Sequence, residues 1–235
     1  HPRVRRQRQM CIRDSCDTAN GIINTYSFTF LCYNNSVLYG NAAIYSPMEV
    51  KGRSKISGCT LNNDITCSAN SEITGGTFLK RTYIHNSSVI SGGTFNQEVK
   101  AFDSGVITGG YFSKAISAYP NHENFIKGGY FKTKPDDSYI ADGYVITDSG
   151  DTNYPYRVVM PHTCNGVTYD KPLDSSFTGG TLASGNYYLT EDITLASIIQ
   201  INAGSDVKIC LNGKSISGHY VENYGTLTLN NCNAA

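Results

Sequence analysis

The sequence has no tryptophan, only three methionines and seven prolines, and just 16% of its 235 residues are charged. Without Trp the chain lacks the strongest aromatic platform for stacking on sugar rings. So little charge beside a 40% hydrophobic content excludes a disordered chain. The basic and acidic residues balance at 19 each, which argues against an electrostatic nucleic-acid binder. No run of about 18 apolar residues occurs, so no membrane-spanning helix is expected. Eight cysteines are present, but no C-x-x-C, and no histidine stands at the usual zinc spacing from a cysteine. Helix formers are scarce, whereas 23 Gly and 17 Tyr, with many Asn, Ser, Thr and Ile, make a β composition. The length suits one elongated domain or two small ones.

Residues 1–15 stand apart. His1–Gln9 carries four Arg and no acid, and Met10–Ser15 reads MCIRDS, which resembles the translation of a sequencing-library adapter. We expect this segment not to belong to the fold; the alternative is a basic N-terminal arm. No apolar run follows the arginines, as a secretory signal would require. Setting the segment aside removes five of the 19 basic and one of the 19 acidic residues, leaving a modest negative excess. The last residues, Leu229–Ala235, stop inside a repeat pattern, so we expect the chain to be a piece of a longer one.

The organising signal is a repeat. Ile-x-Gly-[Gly/Cys]-[Thr/Tyr]-[Phe/Leu] begins at Ile56, Ile73, Ile90, Ile107 and Ile126, at steps of 17, 17, 17 and 19. A β-α-β unit needs about 30 residues, so these turns fit a coil of short strands stacked at about 4.8 Å. Ile56, Ile73, Ile90, Ile107 and Ile126 should form one inward ladder. Leu61, Phe78, Phe95, Phe112 and Phe131 should form a second, with the glycine pairs at the corner between them. Ile84, Val89, Val99, Ala101 and Val106, with Tyr83, are expected to line the other walls, and Tyr39–Ile44 to be a degenerate rung. The Phe stack reads as core in preference to a ligand platform. Parallel crossovers are right-handed as a rule, and left-handed coils usually repeat a hexapeptide three times per turn, whereas this motif occurs once. The expected fold is therefore all-β, a right-handed parallel β-helix over 16–132.

Beyond it, turn chemistry at Lys132–Asp137 and two short strands, near Tyr139–Ile146 and Tyr156–Val159, predict a β-hairpin cap over 133–160. A linker with one short strand at Gly166–Tyr169 is expected over 161–183, and the start of a second β-helix over 184–235. There Ile193–Leu195, Ile209–Leu211 and Leu227–Leu229 align at steps of 16 and 18, placing Asn212 and Asn230 at equivalent corners as stacked amides.

These rungs, closed by Tyr139–Tyr144, resemble repeat regions of large secreted or surface-anchored bacterial proteins. Ser184–Leu195 followed by Ile209–Ile216 is similar to the opening segment of the same group, and His162–Tyr169 to a linker that often precedes it. The resemblance covers roughly residues 55–235. It implies a pectin-lyase-like right-handed β-helix and an extracellular or cell-surface location, and it carries over no catalytic residue.

Chemistry is sparse. The glycosidase motifs Asn-Thr-Asp, Gly-His-Gly and Arg-Ile-Lys are missing from the sequence. Asp136-Asp137 is a tandem acid pair in a turn, and Gly218-His219-Tyr220 is a fragment of a match. Rung acids occur singly: Asp64, Glu72, Glu98 and Asp103. Asp148–Asn153 alternates oxygen donors and is weighed as a calcium loop against a plain turn, with the turn preferred. Cys59–Cys67 within one rung and Cys210–Cys232 across adjacent ones are possible bridges, weighed against cysteine as apolar filler. His85, His122, His162 and His219 read as solvated loop residues, and Tyr119, Tyr154 and Tyr156 as surface rings able to stack on sugars. No catalytic, cofactor-binding or metal-ligating residue is assigned, and no cofactor. The expected function is a non-catalytic solenoid segment, a scaffold or stalk or an adhesin-like face for a glycan or host protein. The alternative is a fragment of a polysaccharide lyase or glycoside hydrolase. No nucleic-acid partner is expected.

Overall fold

The structure is a computed structural model. It describes residues 29–119 and 122–232 and, as backbone strands, Cys16–Asp17 and Ile22–Ile23; the expectation for 1–15 and residues 233–235 lie outside it. The chain is a β-solenoid of about 12 turns, divided into two compact units. One runs through Asp142 and includes Ser149–Val158; the other comprises Gly143–Asp148 and everything from Val159.

In the first unit each turn supplies three short walls. The first wall carries Leu38, Ile56, Ile73, Ile90 and Ile107 in parallel register, continued through Ile126 to Ile140. The second stacks Ile44, Leu61, Phe78, Phe95, Phe112 and Phe131. All but the half-buried Ile140 are essentially buried, and the Phe rings lie nearly parallel with centroids 4.6, 5.0 and 4.9 Å apart. Both expected ladders are thus present, and the Tyr39–Ile44 segment is a rung. The third wall is formed by Phe30–Cys32, Met48–Val50, Ile65–Cys67, Thr82–Ile84, Val99–Phe102 and Ile116–Tyr119. The longer step is absorbed between Tyr119 and Ile126, since Tyr119 still stacks on Phe102 and Ile126 on Ile107.

Strand alternation corrects one expectation. Ile84, Val99 and Ala101 face the core, but Tyr83, Val89 and Val106 are half-buried, each adjacent to an inward Ile and so on the outer face.

The corners explain the period. Gly93 sits at φ +101°, and a Cβ on Gly92 would lie 2.3 Å from the Thr74 carbonyl oxygen of the rung before, so the turn closes only with both side chains missing. A second corner was not anticipated. Ser36, Ser54, Ser71 and Ser88 form a buried column, and the Ser54 and Ser88 hydroxyls donate to the carbonyls of Lys51 and His85, three residues back. That bond satisfies a carbonyl in a turn whose residues, such as Asn86 and Ser87, take positive φ.

The parallel stack ends where Tyr156–Val158 runs antiparallel to Gly129–Phe131, preceded by a 3-10 turn at Asp137–Tyr139 that Asp136 caps.

In the second unit, Lys171–Leu173, Gly185–Leu189, Asp206–Cys210 and Thr226–Asn230 form a parallel sheet, with Gly180–Leu182, Ile199–Ile201 and Val221–Asn223 as another. Leu189, Ile199, Ile201, Val207 and Ile209 fill the interior. The rungs are longer than the sequence steps suggested. Tyr187, Ile209 and Leu229 stack, successive rungs lying 22 and 20 residues apart, and Ile193 pairs with Ile216 instead of Ile209. Asn230 therefore stands opposite Cys210 and not over Asn212. The Asn212 amide donates to the Leu189 carbonyl and the Asn230 amide to the Tyr169 hydroxyl, so the expected amide stack is replaced by two separate bonds. Residues 161–183, expected as a linker with one strand, hold a β-hairpin, His162–Cys164 with Val167–Tyr169, and the first rung strands.

Candidate functional site

The hairpin begins with its turn. Asn165 and Gly166 adopt φ of 50° and 77°, the left-handed pair that a two-residue hairpin requires and that Asn-Gly supplies readily. The register pairs His162 with Tyr169 and Cys164 with Val167. Alternation puts His162 and Cys164 on one face, with exposed Thr163 on the other.

That face lies over the outer side of the sheet. In Gly185–Leu189 the residues Tyr187, Tyr188 and Leu189 are all buried. A strand wetted on one side would alternate, and here the hairpin covers the side that would otherwise be wet. The Tyr188 hydroxyl donates to the Met160 carbonyl and the Asn186 amide to the Thr168 carbonyl. Tyr169, Tyr188, Cys164 and Cys210 make a second small core between hairpin and sheet, with Val167 and Cys232 against it.

Four donor atoms meet there. Those of His162, Cys164, Cys210 and Cys232 all lie within 4.8 Å of one another. His162 Nε2 is 3.0 Å from Cys232 Sγ and 3.3 Å from Cys210 Sγ, and the two sulfurs are 3.3 Å apart. The His162 ring stacks on Tyr188, 5.6 Å between centroids. The thiols compete for charge. Burial pushes the Cys210 thiol up, but hydrogen bonds from Cys232, the Asn212 backbone and Cys164 outweigh it and bring it below the usual value. Cys232, hydrogen-bonded to Cys164, desolvated and set beside Cys210, is driven up to about 12. A sulfur that ionises more readily makes its neighbours harder to ionise. Among the described residues this is the one place where three or more His, Cys, Asp or Glu donors converge in a way that could hold a metal ion.

The sequence led to half of this arrangement. It set Cys210 beside Cys232, and the structure places them on adjacent rungs, both as free thiols. It left His162 as a loop residue and gave Cys164 no partner, because the hairpin was read as a linker. The available signal was His-x-Cys before Asn-Gly, which predicts two donors on one face of a hairpin.

The other singled-out residues disperse. Cys59 lies at a corner with φ +72°, its thiol donating to the Tyr39 carbonyl, and Cys67 on the third wall, buried, its thiol raised to about 12 by desolvation; no disulfide joins them. His85 stacks on Phe102 and lies 3.9 Å from Asp103; His122 bonds the Gly105 carbonyl; His219 is exposed. Within the Asp148–Asn153 run, the Asp151 carboxylate accepts from the Asn153 N–H and the Ser149 hydroxyl from the Asp151 N–H, as in a self-closed turn. Asp136 caps the 3-10 turn, its carboxyl held low by the Ser138 N–H and hydroxyl, while Asp137 pairs with Lys134. The rung acids pair across rungs: Asp64 with Arg81 at 3.0 Å, Glu72 with Lys55 at 3.1 Å and Ser91 at 2.8 Å, Glu98 with Ser117 at 2.8 Å.

On the outside of the second wall, Tyr111 and Tyr130 stack at 4.8 Å, with Arg157 over Tyr130 and Tyr154 edge-on to Tyr111. Tyr119 is exposed. No helix among the described residues is long and apolar enough to cross a membrane. No family model, curated protein or solved structure matches the chain.

Proposed function

We propose that this chain is a non-catalytic segment of a bacterial secreted or surface protein, a pectin-lyase-like solenoid that serves as a stalk and presents a flat face to a glycan or a host protein. The observation that carries this reading is the engagement of the rung carboxylates. Hydrolysis of a glycosidic bond needs two carboxyl groups converging on one bond, whereas Asp64, Glu72 and Glu98 are each committed to a cation or hydroxyl of a neighbouring rung. The outward Tyr111–Tyr130 pair, flanked by Arg157, supports a binding face, since stacked rings with a cation at the edge suit the apolar side and hydroxyls of a sugar.

The test is incubation of the whole chain with pectin and related uronates, alongside a glycan-binding screen. No unsaturated or reducing product, with retention of a glycan that Tyr111→Ala and Tyr130→Ala weaken, supports the reading. Release of product by the wild-type chain overturns it in favour of a polysaccharide lyase or glycoside hydrolase.

A further inference from the structure

The geometry points to a zinc site: His162, Cys164, Cys210 and Cys232 bind one zinc ion that clamps the hairpin to the outer side of the second unit's sheet. The inference is independent of the function proposed above.

The donor set comes first. Three thiolates and one imidazole form a closed tetrahedral set of the kind that structural zinc takes, with no position left for substrate. Soft sulfur donors select zinc over calcium or magnesium. Spacing comes next. Tetrahedral zinc with ordinary Zn–S and Zn–N lengths sets neighbouring donors about 3.5–3.8 Å apart. The observed separations, 3.0 and 3.3 Å within an outer limit of 4.8 Å, bracket that range. A Cys210–Cys232 disulfide would require sulfurs at about 2.05 Å, and it would leave Cys164 and His162 facing it with nothing to bind.

Placement supplies the purpose. The donors come from three segments, the hairpin, the end of Asp206–Cys210 and the residue pair after Thr226–Asn230. The hairpin has only two short strands and its own small core, too little to hold it down alone. One ion tying it to two successive rungs closes long loops at once and makes metal binding part of folding. Binding releases the thiol protons to solvent and replaces the conflict among crowded sulfurs with attraction to a dication. The Tyr169 and Tyr188 rings shield the site, as apolar surroundings do for structural metals.

The experiment uses the full chain, reduced and equilibrated with zinc, then freed of excess metal. Elemental analysis should find about one zinc per chain, and cobalt(II) in its place should give the visible bands of a tetrahedral thiolate centre. His162→Ala and Cys164→Ser should lower metal content by more than about tenfold, while His219→Ala, remote and exposed, should leave it unchanged. Hydrogen exchange on the wild type keeps the test independent of variant folding: chelation should speed exchange in 162–169 and leave 73–95 unaltered. Zinc-free wild-type chain, retention of zinc by Cys164→Ser, unchanged exchange on chelation, or an intact mass two hydrogens short mapped to Cys210–Cys232 would each overturn the assignment.

Discussion

Replacing Phe95 by alanine tests whether the aromatic ladder is the spine of the first unit. Phe95 is 1% exposed, with Phe78 4.6 Å below it and Phe112 5.0 Å above. Phe-to-Ala changes in cores cost about 3–5 kcal/mol, the larger values where the site cannot collapse. Here the neighbouring rings sit on rungs held apart by backbone bonds, so the cavity persists and about 4 kcal/mol is expected. Roughly 1–3 kcal/mol of that is the loss of two stacked pairs. With a urea slope of about 2 kcal/mol/M, the midpoint should fall by about 2 M, followed by circular dichroism since no Trp is present. Phe95→Leu, which refills much of the cavity but loses both stacked pairs, should cost less than Phe95→Ala, about 1–3 kcal/mol. The sharper readout is coupling. In a stack where each rung meets only its neighbours, Phe95→Ala and Phe112→Ala should couple by about 1 kcal/mol, and Phe95→Ala and Phe131→Ala should add to within about 0.5 kcal/mol. A cost below about 1 kcal/mol for Phe95→Ala, or equal coupling to Phe112 and Phe131, would refute the ladder as the source of stability.

Three further outcomes are expected. Gly92→Ala, whose Cβ would lie 2.3 Å from a backbone oxygen, should prevent folding of the rung, whereas Gly143→Ala, with open space around it, should cost about 1–2 kcal/mol from φ alone; urea midpoints compare them. Ser88→Ala removes the donor to the His85 and Cys67 carbonyls and should cost about 1–3 kcal/mol by the same assay. His85 is held below the usual imidazole value by burial, against the opposing pull of Asp103. The unfolded chain therefore takes up a proton first, and this group's stabilising contribution, full above about pH 6.5, should fade as pH drops through the folded value. Urea midpoints measured from pH 8 to pH 5 should fall less in His85→Gln than in wild type; equal slopes would count against the assignment.

The first unit was legible because its signal is redundant. Four glycine pairs, five isoleucines and a run of phenylalanines all report one period, and any one would have set the register. The serine column shares that period, but Ser54, Ser71 and Ser88 sit among many other serines and do not stand out. The second unit has no such redundancy. Its rungs of 22 and 20 residues carry Tyr187, Ile209 and Leu229 at one position, whereas the Ile-Thr-Leu-like triplets align Ile193 and Leu227 with Ile209, off register on both sides. The His–Cys cluster was hidden for a related reason. Its donors are brought together by a hairpin folded over the outside of a sheet, and alternation along a single strand does not reveal which outward residues will be covered.

The in-register stacking of like on like has a consequence for how such a stack of rungs changes length. Because Ile73 rests on Ile56 and under Ile90, and Phe78 likewise on Leu61 and under Phe95, a duplicated stretch of seventeen residues presents the same two surfaces at its ends as the piece it copies. Such an insertion would lengthen the body by one strand spacing, about 4.8 Å, while a single inserted residue would turn a whole wall inside out. Reach can therefore be adjusted in whole-rung increments without redesigning any contact.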